Sequence, residues 1–472
     1  QRQMCIRDSP HTMPRWPWGS SGAMAPPASP TLRSSDSAPA SLDTSHVSAH
    51  GPQPAETTPP SPMAESPPED HTDTHAYMVF SVAGKLLYTS YDGEETWAYT
   101  QASVMHAMLS LFDEHEALQR ISLAHMHITF LQLKPLYVAC LSTQATPDAI
   151  VQARLERLYA AILSLMSRAR LQRLLARAPN LDLQALIGPM KAYLDCVVHD
   201  MHASPALALG TVPVRALDAS LRDQLAQACL QMEARPPQPL YVLLYDQEAL
   251  LALAHPKRHA PYASDLALVN ALVRVCGDHD TWAPLCLPAL APDGFVYVYA
   301  SRVGRVRVAL VCGDPDGYVA CRAWRHALAT SACMARVPSA LSTPTLTAEA
   351  MGLFGLRDVV FSSRRTRQCI LSSHIPARRR AWMEHVLCAL RGASPRPAPP
   401  ALQRQPPVPV PLELVIERTE HEAMLGWRTP VFELCISTSP LLASSAIGEL
   451  ANKVVAWIRH NDQRLFATPA TF

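Results

Sequence analysis

The chain has no run of apolar residues approaching the roughly 20 needed to cross a bilayer as a helix, so any membrane association is expected to be peripheral. It has no excess of charge: 41 Lys and Arg stand against 40 Asp and Glu, a net charge of +1. Without a basic field, bulk nucleic-acid binding is not expected. The 12 cysteines include no Cys-x-x-Cys pair, which argues against a zinc site or a disulfide scaffold and for reduced thiols in a cytosolic protein. Gly-x-x-x-x-Gly-Lys-Ser/Thr is absent, so the chain itself should not hold a nucleotide. Gly-x-Ser-x-Gly is absent too, and no nucleophile–base pattern replaces it. His125-Met-His127 lacks further ligands for a metal, and Pro256 and Pro261 break any helix that would align His255 with His259. The expectation is no catalytic residue, no metal and no cofactor. The N-terminus shows no signal-peptide core.

What is present is apolar bulk. Hydrophobic residues make up 48 % of 472 positions, enough for several cores in roughly two to four domains. Glycine is scarce at 17, and the 43 prolines cluster. Residues 1–75 are rich in Pro, Ser, Ala and Thr and cannot bury enough surface to offset their ordering entropy, so a disordered head is expected. Gln1 to Ser9 read unlike the rest and are set aside. Ser-Pro and Thr-Pro sites within Ser29–Ser66 would each gain about −2 charge on phosphorylation.

From Tyr77 the pattern is regular. Tyr77–Val82 and Lys85–Ser90 read as a hairpin turning at Ala83-Gly84. A helix runs from Glu94 to about Glu116, its first turn carrying Glu94 and Glu95 toward the positive helix end. Strand-like runs follow at Leu118–Leu123, His127–Leu133 and Leu136–Leu141, then a helix from Pro147 to about Met166. After a helical linker, 181–236, the order recurs. Its second copy has strands at Leu240–Tyr245 and Ala249–Ala254, a helix at Tyr262–Cys276, strands at Trp282–Leu290, Gly294–Ser301 and Val306–Cys312, and a helix near Asp316–Thr330. The third copy has strands at Asp358–Ser362 and Gln368–Ser372, a helix at Pro376–Arg391, and strands at Leu412–Arg418, Ala423–Arg428 and Val431–Ser437. It closes on an amphipathic helix with Ile447, Leu450, Val454, Val455 and Ile458 on one face. A Pro-rich insert, 394–411, is expected as a polyproline-like loop. The fold class is therefore α+β: three modules (76–180, 237–335 and 350–472), each an antiparallel five-stranded sheet flanked by helices.

That element order is the order of a longin (roadblock-like) module, and specific stretches resemble one family. They are Phe80-Ser-Val-Ala-Gly-Lys-Leu-Leu-Tyr-Thr-Ser-Tyr91; Tyr159-Ala-Ala-Ile-Leu-Ser-Leu-Met166 with Asn180-Leu-Asp-Leu-Gln-Ala-Leu186; Trp282-Ala-Pro-Leu-Cys-Leu-Pro288 with Gly294-Phe295; and the tail from Phe432. Together they resemble the SAND family of vacuolar fusion proteins, the Mon-one type. The Trp282 block and the tail are the more specific matches. Arg154–Arg157, Arg364–Arg380, the Pro-rich insert and the apolar run Leu240–Ala254 depart from the family pattern.

The resemblance implies a tri-longin subunit that pairs with a Ccz-one-like partner. The pair would be a guanine-nucleotide exchange factor for a Rab-seven-type GTPase, recruited by a Rab-five-type GTPase and by anionic phosphoinositide membrane. It would act peripherally at the late endosome or vacuole, in endosome maturation, autophagy and fusion. It also implies a regulatory head. On this reading Lys85, Tyr88, Tyr91, Glu94, Glu95 and Trp97 form the GTPase and partner surface, Trp282 recruits the upstream GTPase, and Arg364, Arg365, Arg367, Arg378, Arg379 and Arg380 bind lipid headgroups. Against each stands a plainer role: Lys85 as a solvated turn lysine, Tyr88, Trp97 and Trp282 as core, the arginines as a solvated loop and helix start. A scaffold that binds Rab GTPases without accelerating exchange is the competing function.

Overall fold

A computed structural model describes residues 75–112, 118–123, 126–143, 146–178, 181, 183–231, 239–342, 346–391 and 413–471. Residues 1–74, the phosphorylatable head within them, His125 and the Pro-rich insert 394–411 lie outside the described residues.

The first sheet begins with β1 (His75–Ser81) and β2 (Leu86–Thr89), followed by α1 (Glu95–Ser110), β3 (Arg120–Ser122), β4 (His127–Leu133) and β5 (Leu136–Ser142). Gly84 takes φ +77° in the β1–β2 turn, where its amide donates to the Ser81 carbonyl at 2.8 Å; only glycine enters that conformation without strain. The strand order is β2-β1-β5-β4-β3, antiparallel throughout. Helix α1 covers one face through Ala98, Ala102, Met105 and Leu109. The other face meets α2 (Asp148–Leu165), with α3 (Arg168–Arg177) following.

The chain then forms α4 (Gln184–Ile187), α5 (Lys191–Ala203), α6 (Pro205–Ala208), β6 (Val212–Pro213) and α7 (Ala219–Leu230) before the second sheet. That sheet comprises β7 (Pro239–Asp246), β8 (Ala249–His255), α8 (Ala263–Val275), β9 (Thr281–Cys286), β10 (Phe295–Val303) and β11 (Val306–Cys312), with α9 (Tyr318–Ala329) and α10 (Ala332–Ser342) after it. The third unit runs α11 (Ala348–Met351), β12 (Leu356–Ser363), β13 (Gln368–Leu371), α12 (Ala377–Leu390), β14 (Leu414–Arg418), β15 (Ala423–Arg428), β16 (Phe432–Thr438), α13 (Ser444–His460), α14 (Asp462–Leu465) and β17 (Ala470–Thr471). Helix α13 buries Ile447, Leu450, Val454, Val455 and Ile458, the face its periodicity predicts.

Orders β8-β7-β11-β10-β9 and β13-β12-β16-β15-β14 repeat the first topology. Both later sheets add a sixth strand that the five-strand expectation omits. β17 lies parallel to β8, and β6 lies parallel to β13. Each is two residues long, too short for any period to announce it. β9 also stops at Cys286 rather than Leu290. Leu290 N–H turns back to the Leu287 carbonyl, and the Asp265 carboxylate on α8 accepts from Ala289 and Leu290 amides, which bends the chain out of the sheet.

The three sheets are not beads on a string. One apolar core runs from Tyr77 and Val79 on β1, through Leu158 on α2 and Tyr193 on α5, to Leu243 on β7 and Val298 on β10. The second sheet's other face packs on α7, α9 and α10. The third sheet lies between α13 on one face and α12 on the other. Gly426 on β15 is what lets α12 approach, since a Cβ there would sit 2.5 Å from Val386.

Three polar seams tie the units together. Between the second and third sheets, Val212 N–H donates to Arg367 O and Val214 N–H to Cys369 O, both at 2.9 Å, while Arg215 N–H donates to Leu250 O at 3.0 Å. The tail adds a reciprocal pair: Gln368 Nε2 donates to Ala467 O at 2.7 Å, and Ala467 N–H donates to Gln368 Oε1 at 2.9 Å, both buried. Between the first and third units, Arg154 on α2 donates to Glu384 on α12 at 2.7 Å. Beside that pair, Tyr77 and His202 share a 3.0 Å hydrogen bond. Burial pushes Glu384 up to about 7, against the opposing pull of Arg154.

Two outcomes are expected. Gln368→Leu leaves the Ala467 amide and carbonyl buried without partners, at a cost of about 2–4 kcal/mol; amide hydrogen exchange at Ala470 and Thr471 should accelerate and the denaturation midpoint fall. Unchanged exchange would mean that other contacts hold the tail. The second concerns pH. A carboxyl held above its ordinary 4.5 resists ionisation in the fold, so its stabilising contribution is complete below that value and is lost as pH rises through about 7. Wild type should therefore lose on the order of 2–3 kcal/mol relative to Glu384→Gln between about pH 5 and pH 8. A pH-independent gap in urea midpoints would refute this.

Candidate functional site

On the first unit, β2, the start of α1 and α4–α5 border an open cleft of about 250 Å³. The six residues expected there have different surroundings. Tyr88 belongs to the core, and its hydroxyl donates to Asp195 on α5 at 2.8 Å. Burial first, then the Asp195 charge, pushes its phenol far above the ordinary range. It is a wall of the cleft, not a contact residue on its surface, because its position in β2 points it toward the apolar face. Tyr91 is 39 % exposed and packs against the half-buried Trp97 with ring centroids 4.4 Å apart. Lys85, Glu94 and Glu95 are exposed.

Sequence reasoning missed five members of this surface. Tyr99, 42 % exposed, donates to Gln184 at 2.6 Å. Lys191 lies between Asp195 at 2.9 Å and Asp92 at 3.6 Å. Burial works to lower Lys191, and the two carboxylates outweigh it and raise it above its usual value. Tyr88 and Asp195 are 107 positions apart, so no spacing signal joins them.

Next to this cleft, α1 presents a second apolar face. Val104, Ala107 and Met108 lead to Leu111 and Phe112 just past the helix end, at the spacing of one helical stripe. Leu111 is 82 % and Phe112 47 % exposed. A helix with one face in its own core normally shows polar residues on the other.

Trp282 on β9 is half-buried. It stacks on Tyr297 at 5.6 Å and meets Tyr318 edge-on at 6.2 Å. β9 is the outer strand of its sheet, so this aromatic group lies at a sheet edge.

The arginine cluster divides. Arg364, Arg365 and Arg367 are exposed in the β12–β13 turn. Arg379 instead pairs with Asp358 and with Glu422 on both of its terminal nitrogens and Nε. Asp358 lies five residues before Ser363 on β12, about 16 Å at strand rise. The two groups are therefore at opposite ends of one sheet. Arg379 is occupied within the unit and is withdrawn as a headgroup ligand. Arg380 is half-buried beside the Arg154–Glu384 pair, and Arg378 is exposed.

Five-stranded antiparallel sheets of this order, repeated three times with helices on both faces, define a longin-domain protein. Two family models agree: the first longin domain of FUZ, MON1 and HPS1 matches residues 75–196, and the third longin domain of the same proteins matches 355–462. The vacuolar fusion protein MON1 of Cryptococcus neoformans is 28 % identical over 414 residues, covering 84 % of this chain and 65 % of that protein. Human MON1 homolog B is 28 % identical over 423 residues, covering 82 % and 74 %. Chicken MON1 homolog A is 26 % identical, covering 84 % and 72 %. Over most of its length the chain is similar to the MON1 proteins. It spans 65 % of the length of the Cryptococcus relative.

The divided arginines carry a prediction. Arg379→Leu should lower stability by about 2–4 kcal/mol, because it strands the buried Asp358 carboxylate. Arg365→Leu should stay within about 0.5 kcal/mol. Urea denaturation followed by Trp fluorescence separates them, and equal effects would contradict the structural assignment.

Proposed function

We propose that this chain acts in vesicle trafficking and vacuolar fusion as one subunit of a guanine-nucleotide exchange factor for a Rab-seven-type GTPase. The apolar outer face of α1 carries the reading. Leu111, Phe112 and Val104 lie in water on a helix whose other face is already in a core, and such a stripe fits a second protein. A Ccz-one-like tri-longin chain is the proposed occupant. The adjoining cleft, lined by Tyr91 and Glu95, would then face the GTPase from a composite platform, with Glu94, Trp97 and Lys85 on the same hairpin and helix start. The names of the MON1 relatives support the trafficking half of this reading.

Exchange breaks no covalent bond. A nanomolar nucleotide is held by about 12 kcal/mol, and an exchange factor must favour the empty conformer over the loaded one by a comparable amount. Broad contact with a switch segment can supply that difference; a single side chain cannot. Trp282 is proposed to recruit a Rab-five-type GTPase, and Arg364, Arg365 and Arg367 to meet phosphoinositide headgroups, each worth about 1 kcal/mol. No helix among the described residues is long and apolar enough to cross a membrane, consistent with peripheral binding at a late endosome or vacuole.

The test is release of a fluorescent GDP analogue from the Rab-seven-type GTPase. The co-purified pair should accelerate it, and this chain alone should not. Leu111→Asp with Phe112→Asp should weaken pairing at least about 100-fold and abolish acceleration together with it. Stable GTPase binding without acceleration would replace this function with that of a scaffold.

A further inference from the structure

The cleft beside β2 is the strongest feature left to interpret. Its volume of about 250 Å³ falls below the roughly 300–1,000 Å³ of small-molecule pockets. It suits one or two side chains of a protein segment better than a nucleotide or cofactor. β2 is the outer strand of its sheet, and the cleft opens as a trough between it, the start of α1 and α4–α5, a shape that an extended segment can enter.

The walls and the rim differ in character. Leu86, Leu87 and the ring of Tyr88 line it with apolar surface, and Tyr91 and Tyr99 offer partly exposed aromatic faces. Tyr91 is backed by Trp97 and Tyr99 is anchored by Gln184, so both rings are held in place. The charged groups that line it are Asp92, Glu95 and Lys191; exposed Glu94 adjoins Glu95 in the chain, and Asp195 is bonded to Tyr88 and Lys191. Lys191 is already shared by Asp92 and Asp195. Among the described residues neither Glu94 nor Glu95 has an ion-pair partner. Aromatic faces with carboxylates at the rim attract a cation on an aliphatic stem, through ring quadrupoles below and charge above. An acidic segment would meet repulsion there.

We infer that this cleft receives a lysine or arginine side chain borne on an extended segment of the GTPase. The inference rests on the proposed function for the identity of the partner and adds the chemistry of the contact. The stem lies against Tyr91 and Tyr99, and the cationic head meets Glu94 and Glu95. Because both carboxylates are exposed, their contribution is strongest at low salt and in the association rate.

The experiment uses the co-purified pair and nucleotide-free GTPase, with binding followed at low and high salt. Glu94→Lys with Glu95→Lys should weaken binding by about tenfold at low salt and flatten its salt dependence. Glu94→Gln with Glu95→Gln, which avoids placing cations in the first turn of α1, should fall between the two. If the wild-type pair binds the GTPase and both variants match it in affinity and salt slope, the cleft inference is overturned while the exchange reading stands. If the wild-type pair binds no GTPase, the exchange reading falls. The cleft is then probed directly with a fluorescein-labelled extended heptapeptide carrying one central lysine. Binding that is lost when that lysine is acetylated supports the inference, and equal binding, or none by either peptide, overturns it.

Discussion

The structure depends on a narrow seam in which five residues, Thr211 to Arg215, serve two sheets at once. On one side Val212 donates to Arg367 just before β13 and Val214 to Cys369 on β13, and on the other Arg215 donates to Leu250 on β8. Either sheet without this strand would leave a row of unpaired backbone groups at its edge. Arg222 closes the joint. It is 3 % exposed and donates to the carbonyls of Leu251, Arg215 and Arg464, one each from the second sheet, the connecting strand and the tail. Its terminal nitrogens donate to these three backbone oxygens, which ties its placement to the relative position of all three segments. A shift of either sheet would break bonds in a place water cannot readily reach.

This seam, the Arg154–Glu384 pair and the shared core leave the first unit with two unlike sides. One side of its sheet is spent on α2, α5 and the second unit. Among the described residues the other packs on α1, where Val104 on the helix and Leu111 and Phe112 just past its end are exposed. The cleft along β2 opens next to that face. The exposed apolar residues at the end of α1 and the cleft thus lie together on one module, which the shared core and the polar seams anchor to the others. A rigid platform suits a protein whose proposed work is differential grip on two conformers, since a pliable one would accommodate both and favour neither.

Much of the fold was legible before any coordinates. The β1–β2 hairpin announces itself by period and by Ala83-Gly84, the closing helix by its 3.6-residue stripe, and the third occurrence of one element order by repetition. These are local signals, spanning a few residues each. The candidate site was less legible. Tyr88 reads equally as a contact or as core, and its place in β2 turns it inward. Arg364 to Arg380 reads as one basic cluster because its members are close in the chain, and the length of β12 separates them in space. Lys191, Asp195 and Gln184 reach the cleft from a segment that carries no motif.

Hydrophobic period and turn chemistry act within a few residues of the chain, so they set most of the strands and helices, their order, and the faces they bury. Tertiary structure alone decided which edges are closed, by two-residue strands such as β6 and β17 that no period can reveal. It also decided which charges are consumed internally, as Arg379 is by Asp358 and Glu422, and which remain free at the cleft. Those outcomes depend on distances between residues tens to hundreds of positions apart, and only packing sets such distances.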